Sequence, residues 1–227
     1  MDKPYGLIFD VDGVIADTEG INARASIEMF EELFGLKGVK RADFDKGLGR
    51  GAATYVRAAA EIHGLDLTDQ QVEAATALRQ QKFLEILKNE PLPPLEGVLE
   101  LMDAAFNRDD FRLAIATSGT RVKSEAVLKS AKILYQKMTY ITGSDIARKK
   151  PAPDLFLTAA EKAGVEPQNS VVIEDAPDGV AAAKAAHCKC IAVTNSTTPE
   201  NLTQADLIVD TLAKVNIQTI TALLESN

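Results

Sequence analysis

The chain has 227 residues, of which 46% are hydrophobic, and a formal net charge of −8 at pH 7. This length and composition are typical of a globular protein with one full hydrophobic core and a smaller second unit, and they exclude a disordered chain. The negative charge argues against nucleic acid and anionic membranes as partners, because both favour basic surfaces.

The cysteines and the apolar segments indicate the cellular compartment of the protein. The only cysteines, Cys188 and Cys190, are too close in sequence for a useful disulfide, and there is no second pair to complete a zinc site. No apolar run approaches membrane-spanning length, and no signal peptide precedes the first predicted strand. We therefore expect a cytoplasmic protein, a monomer or weak homodimer, that binds neither nucleic acid nor membrane.

The first predicted element is a buried strand from Tyr5 to Val11, which ends beside two acidic residues, Asp10 and Asp12, and a glycine, Gly13. Residues i and i+2 of an extended chain point the same way, so both carboxylates should face one site. Two such charges need a shared proton or a cation, and magnesium prefers oxygen ligands. For this short pattern alone, a solvated turn is the favoured alternative.

A long region without a convincing strand follows, roughly residues 18–89. Its amphipathic patterns predict three helices, at residues 21–34, at 52–62, and from a Thr68 N-cap to the prolines at 91–94. The proline-rich segment is typical of a domain boundary. We assign residues 17–93 to an inserted helical cap domain.

Beyond residue 94, predicted strands and helices alternate. The strands are expected at residues 112–117, 138–142, 170–174, 189–193 and 207–209, with helices at 122–131, 154–163, 176–186 and 217–224. Such alternation predicts an α/β fold with a Rossmann-like parallel sheet and helices on both faces. Residues 1–16 and 94–227 would form this catalytic core, and the cap would stand over the strand ends, where α/β sheets bind ligands.

Hydroxyl and amide groups follow the second predicted strand at Thr117, Ser118 and Gly119. The threonine hydroxyl and the two backbone N–H groups can donate hydrogen bonds to phosphate oxygens. A plain helix cap is the commoner use of such a pair, and it stays open as an alternative.

Lys150 precedes a proline in the segment Lys149-Lys150-Pro151, at the entrance to a helix. A lysine fixed in this way can hold a phosphoryl group and neutralise a carboxylate. We interpret Arg148 and Lys149 as a solvated basic patch, and Lys150 as the functional residue.

Two adjacent carboxylates, Glu174 and Asp175, end the strand predicted at residues 170–174. Asp175 could complete the metal shell begun by Asp10 and Asp12, with Glu174 beside it or behind it. Helix capping alone can also explain acidic residues here. Chance does not readily explain the whole set, because each of the four motifs follows a predicted strand of one sheet.

These four motifs, in this order, closely resemble the haloacid dehalogenase superfamily of phosphotransferases. The segments from Asp10 to Glu19 and from Lys150 to Asp154 are similar to its β-phosphoglucomutase and phosphoglycolate-phosphatase-like branch. The resemblance implies that Asp10 attacks phosphorus and that Asp12 serves as general acid and base.

The resemblance also implies a cofactor and a set of phosphate contacts. Magnesium would be held by Asp10, the backbone carbonyl of Asp12, and Asp175, with Glu174 alongside. The phosphoryl oxygens would be held by Thr117, Ser118, Gly119 and Lys150. Arg50, in the glycine-rich segment 47–51, matches a cap-loop position that contacts substrate in relatives, although a solvated arginine at a hinge is an equal alternative.

The function implied is that of a magnesium-dependent phosphatase of small phosphorylated metabolites, a phosphoric monoester hydrolase. A phosphosugar mutase is the first alternative, but the histidine typical of that branch is replaced by Asn22, and the only histidines are His63 and His187. A phosphoacceptor domain or a non-catalytic interaction protein is a more remote alternative. The sequence does not specify the physiological substrate.

Overall fold

A computed structural model describes residues 3–47 and 50–225 of the chain. Six parallel strands form one sheet in the order β3-β2-β1-β4-β5-β6. The strands are β1 (Tyr5–Phe9), β2 (Phe111–Ala116), β3 (Thr139–Ile141), β4 (Ser170–Glu174), β5 (Lys189–Val193) and β6 (Leu207–Val209). The predicted α/β architecture with a parallel sheet is confirmed.

The α-helices alternate with the strands after residue 98 and form a block of three before it. They are α1 (Glu19–Phe34), α2 (Ala52–Ile62), α3 (Asp69–Asn89), α4 (Val98–Phe106), α5 (Arg121–Ser130), α6 (Asp154–Ala163), α7 (Pro177–Ala185) and α8 (Ile217–Glu225). Gly35 ends α1 in the left-handed conformation, and a capping box at Thr68 begins α3. The short helix α4 was not predicted.

Both faces of the sheet are covered because successive residues of each strand point to opposite sides. On β1, Leu7 and Phe9 belong to one hydrophobic cluster, whereas Ile8 belongs to the other. All three side chains are completely buried. The central strands are therefore apolar throughout, as is typical of a parallel sheet between two helical layers.

The helices α1 to α3 have a hydrophobic cluster of their own, in which the rings of Phe44 and Tyr55 stack at 4.6 Å. The chain leaves the sheet and returns to it at adjacent points, where the Leu95 N–H donates to the Ile15 carbonyl at 2.8 Å. These features support an inserted helical cap, and the boundaries 17–93 stay a prediction. No helix within residues 3–47 and 50–225 could cross a membrane.

Candidate active site

Three neighbouring strands end at one edge of the sheet and bring their polar residues together there. Asp10 follows β1, Thr117 follows β2, and Glu174 and Asp175 lie at the end of β4. β1 pairs with both β2 and β4, so these residues are neighbours across the edge. They line a cavity of about 470 Å³, whose opposite wall comes from α1, α2 and α3. The position corresponds to the ligand-binding crevice of open α/β sheets.

Lys150 is the centre of a buried ionic cluster. Its Nζ lies 2.6 Å from Asp10 Oδ1 and also forms an ion pair with Glu174 Oε1. All three side chains are almost completely buried. Burial alone would lower the pKa of Lys150, but Asp10 and Glu174 outweigh it and raise that pKa. Lys150 is therefore a permanent cation beside Asp10.

Glu174 forms an ion pair with Lys150 and is also bound to backbone groups. Besides the ion pair, its second oxygen accepts hydrogen bonds from the N–H groups of Asp175 at 2.8 Å and Ala176 at 3.0 Å. Both oxygens are thus engaged by protein groups. The structure thus shows Glu174 bound to Lys150 and to two backbone amides, and a role as metal ligand stays a prediction.

The other two carboxylates carry excess negative charge. Burial raises the pKa of Asp10 to about 7, where the attraction of Lys150 is partly cancelled by Glu174 and Asp12. Burial, followed by repulsion from Glu174 and Asp10, raises the pKa of Asp175 well above its usual range. One lysine therefore faces three buried acids, and a further cation would relieve the imbalance.

A hard divalent cation at this site would need backbone as well as side-chain oxygen ligands. Among the residues described, no three His, Cys, Asp or Glu side chains converge on one point, and the predicted ligand set of Asp10, the Asp12 carbonyl and Asp175, with Glu174 alongside, stays a prediction. The carboxylates of Asp10 and Asp175 face the cavity, and a backbone carbonyl such as that of Asp12 can supply a further oxygen. This all-oxygen set fits magnesium.

Gly13 allows the first loop to approach Asp175 closely. Its φ is +76°, and a Cβ on it would lie only 1.8 Å from Asp175 Oδ2. Ser196 Oγ donates a hydrogen bond to the same carboxylate, and Asn195 Nδ2 donates to the Gly13 carbonyl at 2.8 Å. Ser196 and Asn195, which follow β5, were not predicted from the sequence.

Asp12 lines the same cavity but has partners of its own. Its Oδ1 accepts hydrogen bonds from Lys123 Nζ at 2.7 Å and from Thr18 Oγ1. Burial would raise the pKa of Asp12, but Lys123 and Thr18 outweigh it and lower that pKa. Lys123 was missed, although a lysine in the first turn of a helix points back towards the preceding strand end.

The turn after β2 is not a helix cap. Thr120, not Thr117 or Ser118, is the N-cap residue of α5 and accepts from the Lys123 N–H. The Gly119 N–H donates to Thr117 Oγ1 at 3.0 Å, so this amide is engaged within the turn and is not a free phosphate donor. Ser118 Oγ is buried without a hydrogen-bond partner among the described residues.

Arg79 is the buried cation of the opposite wall. It is 7% exposed, donates at 2.8 Å to both Ser26 Oγ and Asn22 Oδ1, and lies 4.5 Å from the Tyr55 ring centroid. Arg79 was not predicted from the sequence. It lies four residues from both Ala75 and Phe83 on the buried face of α3, and this spacing could have indicated that Arg79 is buried.

Arg50 is not among the residues that line the cavity, although Gly47 and Gly51 on either side of it are. Its Nε lies 2.8 Å from Asp178 Oδ2, in an ion pair that joins the cap to the first turn of α7. A contact with substrate would require this pair to open. Leu48 and Gly49, from the same predicted glycine-rich segment, lie outside the described residues.

Comparison with known proteins gives several relatives, of which one named here is a phosphatase. The Arabidopsis thaliana protein SUPPRESSOR OF QUENCHING 1, chloroplastic, is 33% identical over 99% of this chain, which spans only 22% of that relative's length. Validoxylamine A 7'-phosphate phosphatase of Streptomyces hygroscopicus subsp. limoneus is 29% identical, with 92% of this chain and 94% of that protein covered.

A solved structure and a family model agree with these relatives. CbbY from Rhodobacter sphaeroides in complex with phosphate has a TM-score of 0.84 and 25% identity, covering 96% of this chain and 99% of that one. The family model for haloacid dehalogenase-like hydrolases matches residues 7–193. The chain therefore belongs to the haloacid dehalogenase-like hydrolase family.

Proposed function

We propose that the chain is a magnesium-dependent phosphatase of small phosphorylated metabolites that acts through an aspartyl-phosphate intermediate. One observation carries the proposal: Asp10 is a buried carboxylate at a strand end, held 2.6 Å from Lys150 Nζ, in a cavity that fits a small ester. The phosphatase and the phosphate-bound CbbY among the related proteins support the same chemistry.

The first half of the reaction forms a bond between an Asp10 carboxylate oxygen and phosphorus. The bond from phosphorus to the leaving oxygen breaks, and Asp12, which must take up a proton in the substrate complex, gives that proton to the leaving oxygen. In the second half, Asp12 takes a proton from water, and the hydroxide oxygen attacks phosphorus to release inorganic phosphate and free Asp10. Lys123 and Thr18 hold the Asp12 carboxylate in place for both steps.

The phosphoryl oxygens need donors close to the sheet edge. Lys150, the Thr117 hydroxyl and the Ser118 amide supply them, since the Thr117 oxygen accepts from Gly119 and its own proton remains free to donate. Asp10, the Asp12 carbonyl and Asp175 would hold magnesium. When bound, that ion supplies positive charge that offsets repulsion between the carboxylates and the phosphate.

Two observations favour a phosphatase over a phosphosugar mutase. Asn22, at the position where the mutase branch carries a histidine, is hydrogen-bonded to Arg79. Neither histidine is among the residues that line the cavity, and His63 is paired with Asp43 at 2.7 Å within the cap. Neither imidazole is therefore placed to act on the aspartyl-phosphate intermediate. We also infer a cytoplasmic monomer or weak homodimer.

Phosphate release from a panel of sugar phosphates, phosphoglycolate and nucleotides, with and without magnesium, tests the function. Asp10→Asn should fold normally and lose turnover by at least about 10³-fold, because an amide cannot form the acyl phosphate. Asp17→Asn, at an exposed site in the same loop, is the matched control.

Two outcomes would contradict the proposal. Retained turnover in Asp10→Asn would remove Asp10 as nucleophile. Conversion of glucose 1-phosphate to glucose 6-phosphate, without net phosphate release, would favour the mutase, and stoichiometric labelling without turnover would favour a phosphoacceptor domain.

A further inference from the structure

Arg79 is buried and forms no ion pair in the described part of the chain, although the charges of Asp12 and Glu19 in the same cavity act on it. Its hydrogen bonds go to two neutral oxygens, those of Ser26 and Asn22, and none of the ion pairs formed within residues 3–47 and 50–225 includes it. Taking a guanidinium out of water is unfavourable unless a negative group compensates it. Asp12 and Glu19 compensate this charge only in part, because they are bound to Lys123 and Tyr55, so the cavity wall can receive a further anion at Arg79.

The guanidinium is held in a fixed orientation and faces the cavity. Two of its nitrogens, Nε and Nη2, are used by Ser26 and Asn22, and its plane lies against the Tyr55 ring at 4.5 Å. Arg79 lines the cavity, and Nη1 has no hydrogen bond to the described part of the chain. An arginine fixed in this way presents donors suited to the oxygens of a carboxylate or phosphate.

A second cation lies close to Arg79. Lys123 Nζ is 4.9 Å from the centroid of the Phe83 ring, and Phe83 follows Arg79 by one helical turn on the same face of α3. The same Nζ binds Asp12, so Lys123 connects this wall to the reacting centre. Glu19, an acid in the same cavity, is occupied by the Tyr55 hydroxyl at 3.0 Å.

We propose that Arg79, assisted by Lys123, binds a second anionic group on the leaving group of the substrate. The preferred substrates would then be small phosphate esters that carry a carboxylate or a second phosphate, rather than neutral sugar or polyol monophosphates. This proposal rests on the proposed phosphatase function and specifies its substrate class. It transfers to Arg79 the role expected for Arg50, which is paired with Asp178.

Matched substrate pairs test the proposal. Phosphoglycolate is compared with 2-hydroxyethyl phosphate, and glucose 1,6-bisphosphate with glucose 1-phosphate, which separates a carboxylate from a phosphate as the second anion. The wild-type enzyme should favour the anionic member of at least one pair by tenfold or more in kcat/KM. Arg79→Gln should reduce kcat/KM for that member, mainly through KM, at least tenfold more than it reduces kcat/KM for the neutral member.

Two variants control for structure and charge. Arg79→Lys should recover part of the preference, since it keeps the charge and loses the planar fork. Arg57→Gln, which removes an exposed cap arginine paired with Asp69, should leave the preference unchanged. Thermal unfolding monitors the fold of each variant.

The outcomes separate this proposal from the general one. Absence of hydrolysis of every ester would reject the phosphatase function. Hydrolysis without preference for the anionic members by the wild-type enzyme would overturn only the anion site, and this result does not depend on Arg79→Gln folding. An equal loss of kcat/KM on both members of a pair would also overturn it, since the arginine would then be purely structural.

Discussion

The two walls of the cavity differ in both construction and charge. At the sheet edge, Asp10, Glu174 and Asp175 surround the single cation Lys150. In the helical wall, Arg79 is held by neutral oxygens and an aromatic ring. The first wall thus has an excess of negative charge, and the second has a positive charge that forms no ion pair with the described residues.

The charge of each wall indicates which kind of ligand it can bind. Buried charges of one sign are tolerated where a ligand of the other sign completes them. The sheet edge is suited to a metal cation with a phosphoryl group, and the helical wall to an anion on the rest of the substrate. The following predictions test whether the two walls are distinct in this way.

The largest effect is expected from Lys150→Met, because it leaves Asp10 and Glu174 buried without a counter-charge. Removal of one partner from a buried ionic cluster destabilises a fold by about 3–5 kcal/mol. Urea unfolding measures the loss, with Lys149→Met, at the exposed neighbouring lysine, as control. Lys150→Met/Glu174→Gln should recover part of it. If Lys150→Met were as stable as the wild type, water would have to reach the cluster and solvate Asp10 and Glu174.

Asp10→Asn should stabilise the metal-free protein above neutral pH. The pKa of Asp10 is raised from 3.8 to about 7, so the folded state keeps a proton that the unfolded state loses. Stability contributed by this group is therefore lost as pH rises from about 4 to 7, by up to about 4 kcal/mol. The gain from Asp10→Asn should be present at pH 8 and absent near pH 4.

Thermal unfolding with and without magnesium extends this test. Because a ligand stabilises the state that binds it, magnesium should raise the Tm of the wild type at pH 8 and raise that of Asp10→Asn less. Asp17→Asn should behave like the wild type. Equal magnesium shifts in all three proteins would contradict a cation at Asp10.

Lys123→Met tests the link between the two walls. The Asp12 carboxylate would lose its partner at 2.7 Å and with it part of its orientation. We expect kcat to fall about 10- to 100-fold even on a neutral ester, the usual range for a misplaced general acid or base. Lys129→Met, which removes an exposed lysine from the same helix, is the control. An effect confined to KM on anionic esters would assign Lys123 to the anion site alone.

The smallest effect is expected at the ion pair between Arg50 and Asp178. Both side chains are partly exposed, and such pairs contribute about 0.2–1 kcal/mol. Arg50→Ala and Asp178→Ala should therefore have similar, small effects on stability and change kcat/KM less than about threefold. A large rise in KM for Arg50→Ala, with no change in KM for Asp178→Ala, would instead show that Arg50 leaves the ion pair to contact substrate.

The sequence determined the sheet edge of this protein to a large degree. Parallel strands end together, so Asp10, Thr117 and Asp175, each next to the end of an apolar run, were predicted to meet, and they line one cavity. Local patterns also gave the N-cap at Thr68 and the end of α1 at Gly35. Such signals lie within a few residues of one another, where backbone geometry fixes which side chains can meet.

The partners of Glu174 and Arg79 depend on tertiary structure. Whether Glu174 faces a metal or Lys150 depends on a segment 24 residues away in sequence, and the partners of Arg79 lie on another helix, 53 and 57 residues away. Spacing along the chain carries no information about how two helices or two loops pack against each other. The sequence pointed to Arg50, and only the packing of the cap shows that Arg79 lines the cavity whereas Arg50 is paired with Asp178.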